Sequence, residues 1–149
     1  MIKRILHIDD ETAITDLSRI SAERNLGIEH TYETSQRADE LTPLLRKARG
    51  ENRPYDVIIL DDTTNGTMRG LDALAQVRLA GDNIPIIVYA SIRDMDPTTA
   101  EKYIKELNAD FIQKPGPTAL MTKLCEKVNP KTQKKQVSQI MVIPIHLII

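Results

Sequence analysis

Asp56-Val57-Ile58-Ile59-Leu60-Asp61 sets an unbroken apolar run between two carboxylates. A short run with no polar alternation reads as a strand covered on both faces, the pattern of a central strand in a parallel sheet. Two other segments share its form. Ile5-Leu6-His7-Ile8 runs into Asp9-Asp10, and Asp110-Phe111-Ile112-Gln113 runs into Lys114-Pro115. In a parallel sheet the carboxyl ends of the strands open on one edge, and groups there converge on the crevice where chain direction switches. Asp9, Asp10, Asp61 and Lys114 are thereby placed at one cleft. Three carboxylates and one ammonium suit a divalent cation and a phosphoryl group.

The rest of the chain alternates strand and helix patterns around these runs. Strands are expected over residues 4–8, 28–34, 55–60, 84–89 and 110–113, the second at a sheet edge because His30 and its glutamates interrupt it. The first helix runs to about Arg24, with Ala13, Leu17 and Ile20 at helical spacing. Helices follow over residues 37–48, with Leu41, Leu44, Leu45 and Ala48 inward, then over 71–79, 97–107 and 117–128. Asp96 before Pro97 is a capping pattern. Repeated βα units of this kind predict an α/β three-layer sandwich with a parallel sheet.

Residues 1–128 read as one domain. Residues 129–149 read as a basic linker carrying Lys131, Lys134 and Lys135, followed by an apolar tail interrupted by Pro144 and His146. That tail is too short to span a bilayer, and its role is unassigned. Apolar and charged contents of 41% and 28% are ordinary for a globular protein, and a net charge of −1 gives no basic excess for a nucleic-acid or membrane partner. Cys125, the sole cysteine, excludes an intrachain disulfide and sits in a helical pattern as a buried thiol. Lys3 and Arg4 precede only a short apolar run, unlike a signal peptide. A reduced cytoplasmic compartment is the expectation.

Adjacent carboxylates repel, and a cation shared by Asp9, Asp10 and Asp61 would relieve that repulsion. Carboxylates form aspartyl-phosphate intermediates, which makes Asp61 the candidate nucleophile, with Lys114 as a point charge for phosphoryl oxygens.

Residues 2–128 resemble the receiver domain of two-component response regulators. The resemblance rests on Ile8-Asp9-Asp10-Glu11, on Asp56-Val57-Ile58-Ile59-Leu60-Asp61, and on Asn108-Ala109-Asp110-Phe111-Ile112-Gln113-Lys114-Pro115. It implies a flavodoxin-like sandwich with strand order 2-1-3-4-5 and five helices. It implies Asp61 as phosphoacceptor, Mg2+ held by Asp9, Asp10, Asp61 and the backbone carbonyl of Thr63, and Phe111 as the aromatic switch residue. It also implies a usually cis Lys114-Pro115 bond. The implied partners are a histidine kinase or phosphotransfer protein and a downstream protein. The chain would act as a regulatory protein that assists its own phosphorylation and dephosphorylation. It would signal through the face from the fourth strand to the fifth helix, as a monomer or weak dimer. Tyr89, Arg93, Tyr103 and Phe111 are expected on that face, with Lys102 and Lys105 as solvated charges.

Three departures from the family pattern stand out. Ala90 falls where the family has a hydroxyl that contacts the phosphoryl group. Either Ser91, one residue later, reaches in through a local bulge, or the coupling to Phe111 is weakened. Asp61 is followed by Asp62-Thr63-Thr64-Asn65-Gly66, without the usual apolar pair and proline, and Asp62 reads as a solvated neighbour. Phe111 lacks the hydroxyl of the commoner tyrosine. Two rivals follow: a degenerate receiver that binds partners without phosphorylation, and a haloacid dehalogenase-type phosphatase. The latter needs an acid two residues after its nucleophile, where this chain has Thr63.

Overall fold

The structure, a computed structural model, describes residues 2–130. The expectations for the linker and tail beyond residue 130 lie outside the described residues. Strands β1 (Lys3–Ile8), β2 (His30–Ser35), β3 (Val57–Leu60), β4 (Ile86–Ala90) and β5 (Asp110–Gln113) alternate with helices α1 (Thr12–Asn25), α2 (Leu41–Gly50), α3 (Gly70–Leu79), α4 (Pro97–Glu106) and α5 (Pro117–Val128). The sheet is parallel throughout, in the order β2-β1-β3-β4-β5. The predicted sandwich, strand order and helix number are those observed.

Strand alternation sorts the core into two layers. Leu6, Ile8, Ile58, Leu60, Ile86, Val88 and Ala90 pack with Leu41, Leu45, Leu71, Leu74 and Ile104 of α2, α3 and α4. Ile5, Val57, Ile59, Ile87 and Tyr89 pack with Ala22 of α1 and Leu120, Met121 and Leu124 of α5. All four residues of β3 are fully buried. Each such aliphatic side chain contributes about 1.5–3 kcal/mol of burial, so the strand that leads into Asp61 is among the best anchored.

Several local readings shift. On α1, Ala13 faces solvent, and the buried face carries Leu17 with the smaller Thr15, Ser18, Ser21 and Ala22, which let the helix pack against α5. The second helix opens with a 3-10 turn (Ala38–Glu40), whose first N–H donates to Thr64 Oγ1 at 3.0 Å. Pro43 lies in the first turn of α2, where its missing N–H costs no helix bond. Tyr89, expected on the signalling face, is 3% exposed and lies on the α1/α5 side of the sheet, because odd-numbered β4 residues point there. Tyr103 remains exposed on α4, and Cys125 is buried. Asp96 caps α4 by accepting from Thr99 N–H at 2.9 Å.

Candidate functional site

Main-chain bonds beyond the strand ends fix the acids in place. Asp9 N–H donates to the Ser35 carbonyl and Asp61 N–H to the Ile8 carbonyl, both at 2.9 Å. Lys114 N–H donates to the Ala90 carbonyl at 3.0 Å, and the Lys114–Pro115 peptide is cis. From these positions Lys114 Nζ reaches Asp9 Oδ2 at 2.6 Å and Asp61 Oδ2 at 3.2 Å, with Glu11 Oε1 at 3.6 Å. The opposite carboxylate oxygens accept main-chain bonds. Glu11 N–H donates to Asp9 Oδ1 at 2.9 Å, and Asp62 N–H donates to Asp61 Oδ1 at 2.8 Å. Oxygens of Asp9, Asp10, Glu11 and Asp61 all lie within 4.8 Å of one another.

Burial makes this cluster electrostatically costly. Asp61 is pushed up to about 7, first by burial and then by the negative field of Asp9, against the pull of Lys114. Burial also raises Asp9. Burial opposes the charge of Lys114, but its bonds to Asp9 and Asp61 outweigh that and hold it above the ordinary lysine value. One ammonium thus faces four carboxylates, a deficit that a hard divalent cation with oxygen ligands fits. Behind the cluster, His7 is fully buried, with Nδ1 2.6 Å from Tyr32 Oη. Burial, then Lys114, pushes its pKa down to about 3, so the ring is neutral.

The cleft above the acids, about 410 Å³, is lined by Asp10, Asp61, Thr63, Ser91, Arg93 and Lys114. The chain is matched by the family model of the response regulator receiver domain over residues 5–126. It belongs to that family.

Solved receiver domains of similar fold include the signal receiver domain of a putative Luxo repressor protein from Vibrio parahaemolyticus. It is 17% identical with a TM-score of 0.72, covering 87% of this chain and 92% of that one. A CheY-like receiver domain protein from Methanospirillum hungatei is 24% identical with a TM-score of 0.65, covering 88% and 97%. The chemotaxis response regulator CheY4 of Vibrio cholerae is 23% identical with a TM-score of 0.66, covering 86% and 100%. Among curated proteins, none matches this sequence.

Within the receiver domain, Asp10, Asp61, Thr63, Lys114 and Ser91 line one cleft, and Asp9 is buried behind them against Lys114. Ala90 is not among the lining residues. Its side chain is fully buried in the α3/α4 layer, and β4 ends on a regular pairing of Ala90 with Gln113. Ser91 enters the cleft without a bulge, its hydroxyl donating to the Lys114 carbonyl at 3.4 Å. Phe111 is half-buried against the α2/α3/α4 layer, paired with Val88.

Asp62 corrects an expectation. It is 5% exposed rather than solvated. Its carboxylate accepts from Leu71 N–H at 3.1 Å, capping α3, and from Arg69 Nε at 3.1 Å. Arg69 also donates to Asp94 at 2.6 and 3.0 Å. Gly70 permits the close pass of α3, since a Cβ there would lie 1.9 Å from the Asp61 carbonyl oxygen. Glu11, Arg69 and Asp94 are not among the residues the sequence points to, and Arg93, expected on the signalling face, also lines the cleft. Glu11 is visible beside the acidic pair, whereas nothing local marks Arg69 or Asp94.

Proposed function

We propose that this receiver domain is a phosphoacceptor switch. Asp61 takes a phosphoryl group from a histidine kinase, a phosphotransfer protein or a small donor. The observation that carries the reading is Lys114 Nζ bridging Asp9 and Asp61 at the open edge of the sheet. In the reaction Asp61 Oδ2 attacks phosphorus in line, and an O–P bond forms as the donor's P–N or P–O bond breaks. The leaving group keeps that electron pair, and a departing imidazole takes up a proton. Lys114 follows the transferred oxygens and offsets charge spread over them. Asp9, Asp10, Asp61 and the Thr63 carbonyl would hold Mg2+, which when bound neutralises phosphoryl charge. The chain's own part is to bind and orient; it is a regulatory protein rather than an enzyme acting on other molecules.

Residues 1–128 are the switch, acting in the cytoplasm through the β4-to-α5 face on a downstream protein, with Phe111 as its movable aromatic residue. A near-complete shift of that face requires the phosphoryl group to prefer one arrangement by about 5.5 kcal/mol. Ala90, which offers no hydroxyl, favours a second reading, a receiver that binds partners without phosphorylation. Incubation with an acyl phosphate and Mg2+, followed by intact mass, separates them. A phosphoryl adduct absent from Asp61→Asn supports the switch. No adduct with Mg2+ binding intact supports the degenerate form.

A further inference from the structure

We propose that the Arg93 guanidinium is a second phosphoryl-binding cation of this site, supplying the donor that Ala90 lacks. We further propose that the Asp62–Arg69–Asp94 bridge holds its loop over Asp61. The inference rests on Asp61 as phosphoacceptor and adds a residue to that reading.

Arg93 lines the cleft together with Asp61, Ser91 and Lys114. It also lines the adjoining cleft with Asp62, Arg69 and Asp94. Among the described residues its side chain has no hydrogen-bond or ion-pair partner. The contrast with Arg69, spent on two carboxylates, is direct. Lys114 is likewise committed, to Asp9 and Asp61. Converting Asp61 to an acyl phosphate replaces one negative charge with about two and adds acceptor oxygens. With Lys114 divided between two acids, that added charge calls for a further donor. Ser91 offers one hydroxyl; a guanidinium offers a planar fork matched to two phosphoryl oxygens.

The placement of Arg93 has a mechanical origin. Asp62 follows Asp61 in the chain, is buried, and grips Arg69; Arg69 grips Asp94, which follows Arg93. An ionic bridge thus runs from the acceptor loop to the loop after β4, independent of any hydroxyl at position 90. An exposed arginine in such a loop is recruited with little desolvation.

The test titrates beryllium fluoride with Mg2+, read by fluorine NMR, against the intact chain, Arg93→Ala, Arg93→Lys and Arg69→Ala, with Mg2+ alone in parallel. Arg93→Ala is expected to weaken fluoroberyllate binding by about tenfold or more, the effect of one charge-assisted hydrogen bond. Mg2+ affinity should stay equal or tighten, because a positive charge is removed. Arg93→Lys recovers part of the loss, and Arg69→Ala shows a several-fold loss. Equal fluoroberyllate affinity in the intact chain and Arg93→Ala overturns the role of Arg93 while leaving Asp61 as acceptor. Wild-type affinity in Arg69→Ala overturns the bridge. If the intact chain binds Mg2+ but no fluoroberyllate, the reading of Asp61 fails and the inference falls with it.

Discussion

Replacing Asp61 by asparagine should stabilise the metal-free protein, and the gain should grow with pH. The folded state holds the Asp61 carboxyl up to about 7, from an ordinary value of 3.8, because burial and then Asp9 disfavour its charge. A raised folded-state value means that the folded chain keeps a proton the unfolded chain has already lost. Stability therefore falls as pH rises from about 4 to about 7, and the full cost is present above that window. At about 1.4 kcal/mol per pK unit the upper bound is roughly 4 kcal/mol. Asparagine keeps an oxygen for Asp62 N–H but turns an amide toward Lys114, now 3.2 Å from Asp61 Oδ2. An amide donor set against the Lys114 ammonium is unfavourable, which brings the expected gain to about 1–3 kcal/mol near pH 8, or roughly 3 °C in Tm per kcal/mol. Urea denaturation followed by circular dichroism, with chelator present, measures it near pH 5 and near pH 8. An asparagine variant no more stable than the parent near pH 8, or an equal gain at both pH values, would refute the electrostatic argument.

Mg2+ affinity should rise close to tenfold per pH unit below about 7 and flatten above it, since a coordinating Asp61 must release its proton. Calorimetry in buffers of different ionisation enthalpy would show that release, and a flat profile would contradict it. Arg69→Ala leaves the buried Asp62 carboxylate short of its cation and should cost about 1–3 kcal/mol in urea denaturation, with Arg69→Lys recovering part. Gly70→Ala forces α3 away from the Asp61 carbonyl and should cost at least about 2 kcal/mol. An unchanged urea midpoint would show that the loop relaxes freely.

Much of this was legible from residues alone, for identifiable reasons. β5 and α5 fall where predicted because apolar runs and prolines bound them sharply. β4 starts later than expected because Pro85 has no N–H for the ladder; it only accepts, from Ile58 N–H at 2.9 Å. β3 likewise begins after Asp56, whose carboxylate takes Arg4 N–H at 2.8 Å. On α1 Leu17 is buried as expected and Ala13 is not, because hydroxyl residues (Thr15, Ser18 and Ser21) share the buried side and carry no apolar signal. Asp9, Asp10, Asp61 and Lys114 could be placed together because the carboxyl ends of parallel strands share one edge. The Asp62–Arg69–Asp94 bridge could not, since side chains on separate loops meet only once the sheet has set the distance between them.

The central claim is that Asp61, and no other acid in the cleft, carries the phosphoryl group. Its most direct test is treatment with an acyl phosphate and Mg2+, borohydride reduction of the resulting acyl phosphate, and peptide mass analysis. Homoserine at position 61 alone, absent without Mg2+, is the predicted result. Homoserine at Asp9, Asp10 or Asp62, or no reduced residue in a chain that binds Mg2+, would contradict the account.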